Sequence, residues 1–168
     1  MHEDKRIKKA LDLGTGNGIY LLDLLEQGYE PTGVDIIKWP YPLEVIEAIN
    51  DGRIEIVIQD AFEFLKTQPD GLYDLVTMRM PDALLYYISV STENRLPQKS
   101  AEFLSHLNRV LSSYGGFVVI SHERDSSPDD IIRTLSLAGF QLEKRNYEKI
   151  NFVGRIYDGY RLTFRRAY

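Results

Sequence analysis

Seven residues, Asp12-Leu13-Gly14-Thr15-Gly16-Asn17-Gly18, constrain this chain more than any other stretch. They lie between an apolar run, Lys9–Leu13, that reads as a buried strand and an amphipathic run, Ile19–Gln27, that reads as a helix stopped by Gly28. Three alternating glycines in a strand-to-helix turn permit positive φ and let a ligand touch bare main chain. The amides that open the helix then face the same crevice. In a doubly wound sheet that crevice lies at the carboxyl ends of the parallel strands, at the switch point where ligands bind.

The rest of the sequence repeats this alternation of apolar runs and amphipathic stretches. Pro31–Ile36 predicts a second strand, Leu43–Asn50 a short helix, Arg53–Ile58 a third strand, Ala61–Thr67 a helix and Tyr73–Met78 a fourth strand. Arg79–Ser100 is less regular. A helix resumes near Pro97 and runs to about Ser112, with Phe103, Leu104, Leu107, Val110 and Leu111 on one face. Gly115-Gly116 introduces a fifth strand, Phe117–Ser121, and a helix follows from about Asp129 to Ala138. The tail reads as two antiparallel strands, roughly Gln141–Lys149 and Tyr160–Arg165, with Asp158-Gly159 as a turn before the last. Five βα units and a hairpin make an α/β fold: a doubly wound, mostly parallel, seven-stranded sheet with an antiparallel C-terminal hairpin.

Two further carboxylates fall in the same crevice. Asp35 ends strand 2, 21 residues after Gly14, where an acid can accept hydrogen bonds from both hydroxyls of an adenosine ribose; the plain alternative is a solvated loop acid. Asp60 ends strand 3 and reads either as a ligand contact or as a helix N-cap. Glycine spacing selects among nucleotides. A dinucleotide fingerprint, G-x-G-x-x-G, would need glycine at Ile19; here the third glycine comes one place earlier, at Gly18.

The pattern D-x-G-x-G-x-G resembles motif I of class I S-adenosylmethionine (SAM)-dependent methyltransferases, of the broad type 11-like kind. Gly33-Val34-Asp35 resembles the family's acidic end of strand 2, and Gln59-Asp60-Ala61-Phe62 its adenine-contacting segment. Tyr73-Asp74-Leu75-Val76 resembles the opening of its strand 4, and Arg109-Val110-Leu111 with Gly115-Gly116-Phe117 the run before strand 5. The resemblance covers about Lys9–Arg166. It implies SAM as cofactor. Asp12 and the backbone of Gly14 and Gly16, in the loop closed by Gly18, would hold the methionine moiety. Asp35, with Ile36 beside it, would hold the ribose side, and Asp60 and Ala61 the adenine edge. A carboxylate-rich crevice suits a cationic sulfonium. Asp74 begins its strand, far from the crevice, and reads as structural.

Methyl transfer is an in-line displacement that proximity and alignment can drive, so no obligatory catalytic motif is expected. After strand 4 stands Arg79-Met80-Pro81-Asp82, a departure from the N/D-P-P-Y/F of enzymes that methylate amino groups of nucleobases or glutamine. Arg79 is a candidate to bind a substrate or methionine carboxylate, or else a surface arginine. His122, with Glu123 after strand 5, is the best-placed candidate general base, or else a loop histidine. His106 reads as a helix boundary residue, and His2 carries no signal. Trp39, Tyr41, Tyr86 and Tyr87 could face a cation or a planar substrate, or serve as packing. Many relatives carry helices before strand 1 that cover the cofactor. Only about eight residues precede it here, so residues 1–168 read as one SAM-binding domain without them. Cover would come from Arg79–Ser100, from another chain, or from nothing, which leaves the site open.

Composition narrows the classes further. The chain has 168 residues, enough for one substantial core. No run approaches a membrane span, and the charged start carries no secretory signal, so a cytoplasmic location is expected. With no cysteine, a disulfide scaffold, a Cys-ligated metal and a thiolate nucleophile are excluded; no metal is expected. A net charge of −5, with short basic clusters at Lys5–Lys9 and Arg161–Arg166, speaks against nucleic acid as partner. The sequence does not fix the oligomeric state. The leading reading is a SAM-dependent methyltransferase acting on a small molecule. Its competitors are a non-catalytic SAM-fold binding or partner subunit, a nicotinamide-dependent oxidoreductase and an RNA methyltransferase. Ile19 opposes the oxidoreductase; the acidic balance opposes the RNA enzyme.

Overall fold

The computed structural model describes residues 7–79, 96–122, 127–152 and 155–167, with the side chains at 122, 151 and 152 outside the description. Strand β1 (Lys8–Leu13) leads through the glycine-rich turn into helix α1 (Ile19–Glu26). There follow β2 (Tyr29–Asp35), α2 (Leu43–Asn50), β3 (Glu55–Ile58), α3 (Ala61–Thr67) and β4 (Tyr73–Arg79). Then come α4 (Gln98–Val110), β5 (Leu111–His122), α5 (Pro128–Leu137), β6 (Phe140–Phe152) and β7 (Arg155–Arg166).

The seven strands form one sheet in the order β3-β2-β1-β4-β5-β7-β6. Strands β1 to β5 are parallel, and β7 is antiparallel to both of its neighbours. The chain starts in the middle, builds out to β3, then returns past β1 to β4. The order therefore reverses between β1 and β4, which places the switch point beside the Gly14–Gly18 loop. The expected architecture is the observed one.

Alternation along the strands sends the two core halves to opposite faces. Leu11, Leu13, Val76, Met78, Phe117 and Val119 pack with α3, α4 and α5. Ala10, Val118 and Ile120 belong to the smaller half with Tyr20, Leu21 and Leu24 of α1 and Val45 and Ala48 of α2. Helix α4 exposes why its sequence is amphipathic: Phe103, Leu104, Leu107 and Val110 are all fully buried.

The largest departures from expectation are at two glycine-containing pairs. Gly115-Gly116 lies inside β5, not before it. The β4–β5 ladder jumps from Tyr73↔Leu111 to Leu75↔Gly116, so residues 112–115 bulge opposite Asp74 alone. The Asp74 carboxylate pins the bulge, accepting from Ser112 Oγ and from the Lys9 amide, both at 3.0 Å, which confirms its structural reading. Asp158-Gly159 is likewise not a turn. It pairs with Lys149 and Glu148 inside a ladder that continues to Phe152↔Arg155. Glycine at 159 answers a close approach: a Cβ there would fall onto Ile150 and within 2.6 Å of the Ser121 carbonyl oxygen. Other boundaries shift too: α4 stops at Val110, not Ser112; β3 starts at Glu55, not Arg53; β2 starts at Tyr29, not Pro31; β6 runs on to Phe152 and β7 starts at Arg155, not Tyr160.

Candidate functional site

Asp12 sits one residue from the end of β1 and is fully buried. Its register partner on β4 is Thr77, whose Oγ1 donates to Asp12 Oδ1 at 2.6 Å. Asp12 Oδ2 is buried, with no hydrogen-bond partner among the described residues. Burial raises the Asp12 pKa above the ordinary 3.8, and the neighbouring Asp35 charge adds to that; the Arg79 charge and the hydroxyls of Thr77 and Thr15 oppose it. Oδ2 keeps acceptor capacity, with the Thr15 hydroxyl beside the carboxylate.

The loop above Asp12 turns on left-handed glycines: Gly14, Gly16 and Gly18 have φ of 75°, 59° and 78°. The Gly14 and Thr15 amides donate to Val34 O at 2.8 and 3.1 Å, which folds the turn back onto β2. The glycines at 16 and 18 serve different ends. A Cβ at Gly18 would stand 2.8 Å from Ile56 Cδ1 and 3.0 Å from Val45 Cγ1, so Gly18 lets α1 seat on its neighbours. A Cβ at Gly16 would meet nothing within 4 Å. Gly16 borders open space.

Asp35, at the end of β2, faces this loop. Its Oδ2 accepts from the Gly16 amide at 2.8 Å and its Oδ1 from the Ile37 amide at 3.0 Å. Each oxygen keeps acceptor capacity for a further donor. The end of β3 is held beside it by Gln59 N donating to Asp35 O at 2.9 Å. Asp60 is the N-cap of α3: Oδ1 accepts from the Phe62 and Glu63 amides at 2.9 and 3.1 Å. Ala61 is buried in the first turn of α3. Ile36 is 67% exposed, an apolar side chain bare at the rim beside Asp35. Of the aromatic candidates, Tyr41 packs partly against the α1–α2 side, where burial and the Asp35 charge raise its pKa. Trp39 is exposed, and Tyr86 and Tyr87 lie outside the described residues.

On the acceptor side, Arg79 ends β4 on the same face as Asp12 and Thr77. Its guanidinium lies over the Tyr20 ring, 4.1 Å from the centroid, and its Nε is buried with no hydrogen-bond partner among the described residues. Tyr20 is buried, which raises its phenol pKa against the lowering charges of Arg161 and Arg79. His122 closes β5 by backbone position, its side chain being outside the described residues, as are Met80, Pro81, Asp82 and Glu123. His106 packs its ring edgewise on Phe62 between α3 and α4. The basic run near the C-terminus is engaged: Arg161 pairs with Glu148, Arg165 with Glu143, and Arg166 donates to Leu111 O. No described helix is long and apolar enough to cross a membrane, and no metal-binding cluster occurs among the described residues.

A family model for a methyltransferase domain matches residues 2–155. The chain belongs to the class I SAM-dependent methyltransferases. Among curated members, it is 30% identical over 150 residues to human EEF1A lysine methyltransferase 2, covering 87% of this chain and 60% of that one. It is 32% identical over 123 residues to the ubiquinone biosynthesis O-methyltransferase of Vibrio campbellii, covering 70% and 51%. The chain thus spans little more than half the length of these relatives. Solved methyltransferases share its fold. The 1,6-didemethyltoxoflavin-N1-methyltransferase of Burkholderia thailandensis, bound to 1,6-didemethyltoxoflavin and S-adenosylhomocysteine, superposes with a TM-score of 0.68 at 17% identity over 97% of this chain and 72% of that one. A SAM-dependent methyltransferase from Methanosarcina mazei gives 0.65 at 15% identity, over 97% and 94%. The cofactor of this methyltransferase family is SAM.

Asp12, Asp35 and Asp60, named from the sequence, stand at the carboxyl ends of β1, β2 and β3; Thr77 and Tyr20, which touch Asp12 and Arg79, were not named from it. Thr77 had a signal, a hydroxyl in an otherwise apolar strand. Tyr20 had none, since an aromatic early in α1 reads as core.

Proposed function

We propose that this chain is one SAM-binding domain that transfers a methyl group from SAM to a small-molecule acceptor. The observation that carries the reading is the bare main chain at Gly16, open above and tied on one side to Asp35, with the unpartnered Asp12 Oδ2 nearby. An adenosyl amino acid needs such a surface: close backbone, an acid for its ribose and an acid for its ammonium. Asp12 with the Gly14 and Gly16 backbone would hold the methionine end, and Gly18 would fix the loop's exit. Asp35 would accept from the ribose hydroxyls through its free lone pairs. Ile36 would cover one adenine face. Asp60, through the oxygen not used as N-cap, and Ala61 would meet the adenine edge.

When bound, SAM supplies an electrophilic methyl on a sulfonium. The residues of the chain hold and orient it and present the side beyond β4 and β5 to the acceptor. His122 would take a proton where the acceptor must lose one. The small-molecule assignment draws on the Vibrio relative, whose name places its chemistry in ubiquinone biosynthesis; the human relative's name points instead to a protein lysine.

A paired thermal-shift measurement tests the cofactor. S-adenosylhomocysteine should raise the melting temperature and NAD should not. Saturation a hundredfold over Kd is worth about 2.7 kcal/mol. Asp35→Ala should lose most of that shift. Stabilisation by NAD alone would overturn the reading. Methyl transfer from labelled SAM, with small-molecule and protein fractions of an extract as separate acceptors, then separates the two acceptor classes. Binding without any transfer would make the chain a binding module.

A further inference from the structure

Strand β6 stands at one end of the sheet and pairs with β7 alone among the described strands. Its outer edge therefore offers main-chain donors and acceptors to another chain. From Lys144 to Phe152 the ladder with β7 runs without a shift, so the free edge is regular over the same residues; a bulge at Glu143 precedes it. The run Lys144-Arg145-Asn146-Tyr147-Glu148 holds no glycine or proline to interrupt a strand. Its side chains alternate between faces. Arg145 and Tyr147 stand opposite Leu162 and Tyr160, which belong to the core half with α3, α4 and α5, and Arg145 pairs with Asp129 of α5 at 2.6 Å. Lys144, Asn146 and Glu148 take the other face. There Glu148 accepts from Arg161 Nε at 3.1 Å, and Lys144 is exposed.

We infer that β6 pairs with β6 of a second copy of this chain, antiparallel, about a two-fold axis at Asn146. The order of charges carries the inference. A two-fold perpendicular to the sheet sets each residue opposite the one equally far beyond the centre and keeps every side chain on its own face. Centred on Asn146, it sets Lys144 opposite Glu148 twice on one face and Arg145 opposite Tyr147 twice on the other, with Asn146 meeting Asn146 between them. Opposite charges across a strand pair attract, an arginine favours a phenol ring, and two asparagine amides can exchange hydrogen bonds. The contact also covers the exposed Tyr147 ring. Neighbouring centres fail. Centres at Glu143, Lys144, Arg145, Glu148 and Lys149 set that residue against its own charge, and a centre at Tyr147 sets Arg145 against Lys149. Edge charges that served only to keep other chains away would repel in every register; here the register at Asn146 is free of like-charge contact. The joined sheet has fourteen strands, seven from each copy. Strand direction reverses across the axis, so the two glycine-loop crevices open toward opposite sides and neither is covered.

Sedimentation velocity over a concentration series tests the pairing. The unaltered chain should pass from monomer to dimer as its concentration rises. Lys144→Glu sets glutamates face to face at both ends of the contact, and Glu148→Lys sets lysines there. Each should weaken the dimer about tenfold or more. An equimolar mixture of the two variants restores opposite charges across the axis, as does a single chain carrying both changes, and both should recover the dimer. Lys144→Glu alone keeps the test decisive if Glu148→Lys, which gives up the pair with Arg161, does not fold. A chain that stays monomeric throughout overturns the inference. So does a dimer that Lys144→Glu leaves unchanged, or a loss that the folded, doubly changed chain does not recover.

Discussion

Burial works against the charged form of Asp12. Its pKa is raised, so the folded protein grips this proton more tightly than the unfolded chain does. Stability therefore falls as pH rises from 3.8 through the higher folded value and stays reduced above it. Asp12→Asn keeps an acceptor for Thr77 and removes the charge. It should melt higher than the parent at pH 7 without ligand, by about 2–4 °C per kcal/mol recovered, and the gain should vanish in scans below pH 3.8. An equal or lower melting temperature at pH 7 would show that Arg79 already compensates the carboxylate. The loop glycines make a second contrast. Gly16→Ala takes on only the left-handed backbone penalty, about 1–2 kcal/mol, yet places a methyl in the open cradle and should abolish the S-adenosylhomocysteine shift. Gly18→Ala adds contact with Ile56 and Val45, and should lose more stability while keeping a larger share of the ligand response in calorimetry.

Among the elements, those set by local signals were readable in the sequence and those set by lateral pairing were not. Helices α2 and α3 run over the residues that periodicity and end signals mark, Leu43–Asn50 and Ala61–Thr67. The bulge at 112–115 depends on how β5 lies against β4, and Gly159 on the nearness of Ile150 and Ser121; neither is a property of its own segment. Arg109 shows the same division. Its place in a family-like run was visible, but not its task. From α4 it donates to Gln68 O at 2.6 Å and Leu65 O at 2.8 Å and pairs with Asp70 at 2.5 Å, closing the carboxyl end of α3. Arg109→Ala should destabilise by about 2 kcal/mol, measured by denaturant unfolding, with ligand affinity unchanged. Arg109→Lys should restore only part of the loss, because one ammonium cannot span the same acceptors.

Across the whole molecule, the acids and glycines of the site were readable because each sits where a parallel strand ends, and strand ends are marked by the switch from apolar to small and polar residues. The Asp12–Thr77 bond and the Arg79–Tyr20 stack were not, since they join residues 65 and 59 positions apart through a sheet order that no single segment encodes. The bond from the Gly16 amide to Asp35 has a wider consequence. The group that would greet a ribose is also a fastener of the unliganded protein. A change at position 35 would therefore loosen the loop along with any ribose contact. A variant with no methyl transfer would still use this acid to fasten its loop.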